Sequence, residues 1–397
     1  MRRLFWLVCL VLVIDTAFYA AVTPLLPSYA DDLDLSKTAA GVLSASYAAG
    51  TLAGALPGGW LAVRFGVKPA LLTGLGLLAV TSVVFGVAEN VVVLDVSRFF
   101  QGVGGACSWA ASLAWLVGAA PRERRGQLIG GAIGAAIVGL FFGPVIGGAA
   151  TELGTAPVFG AAAAFAGALA AWALLTPAAK AGPEAGLRGL AGAMRVSPDL
   201  RIGFLLFTLP ALFSGVLEVL VPLRLDVLGA GGVAVGAAFL VAAAVEATIS
   251  PIAGRASDRR GRLAPMRIGL AAAAVGGLVL ALPENAVLLA VLLCATVAAL
   301  GTFWAPAMAL LTDAADHAGV GHAMAIAIAN LAWALGHVLG GGAGGGLADL
   351  TADAVPYALL SALCLLALFT VARERVSEPA RSAPAPARAD APRPRRA

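Results

Sequence analysis

Six ionisable side chains stand inside stretches of this chain that are otherwise strongly apolar: Asp15, Asp95, Arg98, Glu218, Glu246 and His337. An isolated charge in such a setting is disfavoured by several kcal/mol, so each must face a partner or a water-filled space. A carboxylate in that position can hold an organic cation or take up a proton, and exchange one for the other. Phe18 and Tyr19 follow Asp15 closely, so aromatic ring faces could share a bound cation with its carboxylate. Asp15 lies about 18 Å along a helix from Arg3. Asp15 could instead pair with another helix.

Arg98 lies three residues after Asp95 and three before Gln101, so all three can share one helical face. It either holds a carboxylate such as Asp15 or Asp95 and releases it on protonation, or merely neutralises Asp95. Asn330, Trp333 and His337 should line one face further along the chain. Imidazole titrates near neutral pH, so His337 can carry a proton or serve as a hydrogen-bonding core residue. Glu218 and Glu246 can also exchange protons, Glu246 in the inner part of its span and roughly 13 Å before Arg255. Trp304, followed by Pro306, supplies an apolar wall.

The elements that position these groups follow from composition. Sixty per cent of the 397 residues are apolar and 12% are charged, the mean hydropathy is +0.93, and apolar runs repeatedly reach the roughly 20 residues that cross a bilayer. This excludes a soluble domain and predicts an all-α membrane protein. Twelve transmembrane helices are expected at 4–26, 39–63, 69–88, 91–119, 126–150, 156–176, 202–225, 232–253, 265–283, 286–312, 321–346 and 355–372. The first run is too long for the core of a secretory signal, so it should remain as a span.

Placing the N-terminus in the cytoplasm puts all but Lys37, Arg98 and Arg224 of the 26 lysines and arginines on the cytoplasmic side. The formal net charge of +4 then reflects topology and contact with anionic lipid, not nucleic acid. The segment Asp313 to His322 departs from the pattern, having no basic side chain except histidine. Residues 177–201 read as a cytoplasmic connector between bundles 1–176 and 202–372, and 373–397 as a disordered basic tail.

The chain repeats itself. Gly139, Gly143, Gly147 and Gly148 are matched 197 positions later by Gly336, Gly340, Gly344 and Gly345, with Pro144 replaced by Gly341. Glycines one turn apart let another helix approach closely, and Pro144 withholds a backbone hydrogen bond. A second match joins Gly59, Arg64 and Gly66 to Gly254, Arg259 and Gly261, 195 positions on. Two homologous halves moving about a central site are expected.

These motifs resemble the major facilitator superfamily, over about residues 1–372. The family's loop G-x-x-x-D-R-x-G-R is complete at Gly254, Asp258, Arg259, Gly261 and Arg262; the first copy has Val63 and Val67 where an aspartate and a basic residue are usual. Gly139 to Gly148 resembles the fifth-helix motif of exporters that exchange substrate for protons, and the segment from Arg98 to Gly102 the family's fourth-helix R-x-x-Q-G. The surroundings of Asp15, Glu218 and Asn330 resemble bacterial drug exporters and vesicular amine transporters. That resemblance implies cation recognition and proton coupling by the first- and seventh-helix carboxylates. Two carboxylates of the vesicular carriers are absent: Asn330 replaces one, and the segment around Gly301 is apolar at the other.

The resemblance thus implies two pseudo-symmetric six-helix bundles in the major facilitator fold and, by alternating access, proton-coupled efflux of small amphipathic or cationic molecules from a cell membrane. Asp15, Phe18, Tyr19, Arg98, Gln101, Trp304, Asn330 and Trp333 are the candidate substrate contacts. Asp15, Glu218, Glu246 and His337 are the candidate proton carriers, and the glycine and loop motifs the moving parts. Uptake of a small solute and a non-transporting sensor on the same fold are the alternatives. No phosphate loop, metalloprotease motif or nucleophile elbow is present, which argues against an enzyme. The three histidines, at 317, 322 and 337, are scattered, so neither metal nor other cofactor is expected, only protons as coupling ion. Cys9, Cys107, Cys294 and Cys364 should be buried thiols. A monomer is expected.

Overall fold

A computed structural model describes residues 1–121, 124–177, 192, 194–195, 197–318 and 322–373. Arg122, Lys180, Arg188 and the tail from 374 onward lie outside the described residues, as does most of the expected connector. The described residues are helical almost throughout. Helix α1 (Arg2–Ala20) passes through a 3₁₀ turn (Thr23–Leu25) into α2 (Leu26–Asp32). Then come α3 (Lys37–Phe65), α4 (Val67–Gly86), α5 (Val91–Ala119), α6 (Arg125–Leu153) and α7 (Thr155–Leu175). The second half holds α8 (Pro198–Val227), α9 (Gly232–Arg260), α10 (Leu263–Val279), α11 (Ala286–His317) and α12 (His322–Val338). A π-turn (Leu339–Ala343) leads to α13 (Gly344–Leu350), and α14 (Ala354–Arg373) closes the order.

Eleven of the resulting segments are long and apolar enough to cross a membrane, and the shorter apolar helix α10 stands where the ninth span was expected. The protein is therefore a multi-pass membrane protein. Its outer faces agree: Trp60, Val80, Phe142, Leu205, Ile268 and Phe369 are exposed, as suits helices solvated by lipid rather than water. The expected connector is shorter than 177–201, because Ser197 caps α8 by accepting from the Leu200 amide at 3.3 Å and Pro198 begins its first turn.

Both halves are held together in the same way. Gly139, Gly143 and Gly147 of α6 lie against Val13, Ala17 and Ala20 of α1 and Ala21 just after it, so closely that a methyl would overlap the Val13 carbonyl at Gly139, the Ala20 side chain at Gly143 and the Ala21 carbonyl at Gly147. Gly336 and Gly340 lie likewise against Thr208, Leu212 and Gly215 of α8. Each glycine stripe thus seats the fifth helix of its half on the first. The loop motifs also match: Gly66 and Gly261, which end α3 and α9, have φ of 101° and 91°, a conformation that side chains disfavour.

The two halves close on each other at the end bearing Lys37 and Asp353. Lys37 Nζ lies 2.5 Å from Asp353 Oδ1, and the Thr38 hydroxyl donates to Asp349 at 2.7 Å. Beneath these contacts Gly41 of α3 meets Gly341 and Gly345, and Gly236 of α9 meets the carbonyl of Pro144. At the opposite end Arg262 bridges Asp258 at 2.6 Å and Asp313 at 3.1 Å. Asp313 thus pairs with the basic loop of its own half. Arg64 and Arg259 are exposed.

Candidate functional site

The first span runs to Asp32, past the expected residue 26, and its helix is interrupted on the way. Pro24 and Pro27 lack amide hydrogens that would have reached the carbonyls of Ala20 and Thr23, so α1 ends at Ala20 and the chain re-forms as α2. Arg98 of α5 takes up the carbonyls left near this break. It donates to Phe18 O at 2.9 Å, to Tyr19 O at 3.0 Å and to Gln101 Oε1 at 3.0 Å. Gln101 in turn donates to Ser82 at 3.3 Å. The guanidinium also lies 4.8 Å from the centre of the Tyr47 ring.

This corrects both readings of Arg98. Its hydrogen bonds go to backbone and to Gln101 rather than to a carboxylate, because the broken helix presents acceptors that only a planar donor fork can reach together. Asp95, expected on the same face, has one carboxylate oxygen buried without a hydrogen-bond partner. Arg98 and Gln101 are fully buried, as is Phe18, which stacks against Phe159 at 6.1 Å. These three expected substrate contacts therefore build the end of α1 and do not line an open surface.

Asp15 is held by two residues the sequence reading passed over. The Tyr47 hydroxyl of α3 donates to its Oδ1 at 2.7 Å and the Trp109 indole of α5 to its Oδ2 at 2.7 Å. One signal was available: Trp109 lies 195 positions before Trp304, the offset of the loop repeat.

Tyr19 leads across to the second half. Its hydroxyl donates to Glu218 Oε2 of α8 at 2.6 Å. Its ring sits edge-on to Trp333 at 5.0 Å and to His337 at 5.6 Å, both of α12. His337 Nδ1 is 3.0 Å from the Trp333 carbonyl, an acceptor, so Nδ1 carries a hydrogen. Its Nε2 is 3.8 Å from Glu218 Oε1. Tyr19, Glu218, Trp333 and His337 are thus brought together, joining α1, α8 and α12. Asn330, one turn before Trp333, is exposed.

Glu246 forms a separate group. The helix containing it runs to Arg260, which puts Glu246 at its middle rather than in its inner part. The Trp304 indole donates to Glu246 Oε1, and Trp304 sits edge-on to Phe207 at 5.1 Å. Gly301 of α11 packs against Glu246.

A model of the Major Facilitator Superfamily matches residues 8–326 and, in a second overlapping match, 212–397. The chain belongs to this family of membrane transporters. Multidrug resistance protein MdtL of Escherichia coli is 33% identical over 104 residues, 26% of this chain and 27% of that protein. The match thus spans about a quarter of that relative. Among solved structures, a D-xylose–proton symporter aligns with a TM-score of 0.72 at 18% identity, covering 93% of this chain and 97% of its own. An inward-facing bacterial homologue of the human lysosomal transporter Spinster aligns at 0.74 and 16% identity, covering 93% and 95%. At these identities the likeness is one of fold. A transporter of small molecules with two pseudo-symmetric bundles is the class that the family and fold define.

Proposed function

We propose that the protein exports small organic cations in exchange for protons. The observation that carries this reading is the cluster of Tyr19, Glu218 and His337 across the two halves, a carboxylate beside an imidazole at the seam that must open. The charge balance supports it. Asp15, Glu218 and Glu246 stand deep in the spans, whereas Arg98 spends its hydrogen bonds on Phe18, Tyr19 and Gln101. Excess negative charge in a medium of low dielectric is neutralised by bound protons or by a cation.

The positive-inside distribution favours a cytoplasmic N-terminus, with the closed end, at Lys37 and Asp353, outside. In this state Glu218 accepts from Tyr19 and holds the outer seam shut. A cation entering from the cytoplasm displaces the proton carried by Glu218 or Asp15, that proton leaves to the cytoplasm, the bond to Tyr19 is released, and the halves swing outward. A proton from the external medium then replaces the cation on the same carboxylate and returns the carrier. The partial likeness to a multidrug resistance protein supports efflux, and the glycine motif on α6 agrees with it.

Everted membrane vesicles given an acid-inside gradient should accumulate tetraphenylphosphonium supplied as probe in the medium. Glu218→Gln and Asp15→Asn should abolish the dependence on the gradient while leaving folded protein. Accumulation that still follows the gradient in both variants would overturn the reading.

A further inference from the structure

Two carboxylates in the protein are gripped in the same manner. The Trp109 indole donates to Asp15 and the Trp304 indole to Glu246. Trp109 lies eighteen residues after Val91, where α5 begins, and Trp304 eighteen residues after Ala286, where α11 begins. The two tryptophans are therefore equivalent positions of the internal repeat. Their acids come from non-equivalent helices, α1 in the first half and α9 in the second. The same carboxylate–indole pair has been built twice, by different means, around one pseudo-twofold relation.

The two members differ in access. Asp15 is buried and has both oxygens satisfied, by Tyr47 and Trp109. Glu246, Trp304 and Phe207 are all partly exposed, and Glu246 Oε2 accepts no hydrogen bond from the described residues. An acid with a free oxygen beside two aromatic rings suits an ammonium group, which gains from charge and from the negative ring faces together. The groups facing Glu246 from neighbouring helices are Trp304 and Gly301 of α11, and its electrostatic neighbours are Glu218 and His337. No lysine or arginine is among them.

We infer that Glu246, Trp304 and Phe207 form a second cation subsite beside Glu218, and that the substrates this carrier prefers bear two ammonium groups, one at Glu246 with Trp304 and one at Glu218. The inference rests on the reading of the substrate as an organic cation. It narrows that class to diamines and dicationic amphiphiles. A single ammonium group leaves one of these two carboxylates unoccupied; a second one, on a chain long enough to span them, occupies both.

Competition by 1,n-diaminoalkanes and by n-alkylamines of equal chain length, measured on tetraphenylphosphonium uptake into proteoliposomes, tests this. In the wild type the best diamine should compete about 10-fold or more better than its monoamine, as one further cation–carboxylate contact implies. Glu246→Gln keeps the side chain's shape and an acceptor for Trp304, and should bring that ratio to about 1; Trp304→Phe should lower it part of the way. Equal competition by diamine and monoamine in the wild type, or a ratio that Glu246→Gln leaves intact, overturns the second subsite and spares the cation reading. Failure of every amine to compete overturns both.

Discussion

Replacing Gly41 by valine should hold the outer end of the carrier open. Gly41 lies on α3 where it meets the second half, and a Cβ built there falls on the carbonyl oxygen of Gly341, 3.3 Å from the Gly341 carbonyl carbon and 3.3 Å from the Gly345 Cα. All three neighbours are backbone, so no rotamer change relieves the contact. Overpacking of this kind is unfavourable by about 1–3 kcal/mol, and the unyielding surroundings put Gly41→Val at the upper end. That figure corresponds to about 100-fold against the closed arrangement. The alternative relief is to part the two halves, which is the motion transport requires. Spin labels at Glu89 and Glu284, exposed outer positions of opposite halves, would report it by pulsed dipolar spectroscopy with the four native cysteines replaced. The label distance should lengthen in Gly41→Val, and gradient-driven uptake should fall. Gly76→Ala is the control, because a methyl there meets nothing within 4 Å; it should behave as wild type. An unchanged distance distribution with normal transport in Gly41→Val would refute the account of the seam.

Other perturbations follow from the same geometry. Tyr19→Phe keeps the ring against Trp333 and His337 but removes the hydroxyl that donates to Glu218; losing a charge-assisted bond of about 1.5–3 kcal/mol should also widen the outer label distance, though less than Gly41→Val. Arg98→Lys cannot serve the carbonyls of Phe18 and Tyr19 together with Gln101, so the melting temperature of the purified protein should fall, and more steeply in Arg98→Ala. Asp353→Asn breaks an ion pair with Lys37 whose partners are 28% and 39% exposed, so its effect on closure should stay below about 1 kcal/mol and vanish in high salt.

Much of the architecture was legible in the chain. The span from 91 to 119 coincides with α5, because Asn90 caps it and an alanine–proline step follows it. The glycine stripe repeated at 139 and 336 foretold two helices that approach neighbours closely, and the structure names those neighbours as α1 and α8. The site was harder to read. Asp15, Glu218 and His337 stood out as charges in apolar surroundings, but partners across helices depend on rotation and tilt that periodicity does not encode. Tyr47 and Trp109 carry no charge to single them out in the sequence, and Phe18 counted as a substrate contact until packing against Phe159 placed it in the core. Arg98 was misread for a physical reason: the break that follows Ala20 creates backbone acceptors, and a search for carboxylate partners overlooks carbonyl oxygens.

The central claim is that Glu218 trades a proton for the substrate cation. Purified protein in weakly buffered solution, titrated with tetraphenylphosphonium while a pH-sensitive dye follows proton release, tests it most directly. The account predicts that binding releases protons in the wild type over a range of pH, and that Glu218→Gln sharply reduces the release while retaining measurable binding. Binding without release in the wild type, or release of the same size in Glu218→Gln, would contradict it.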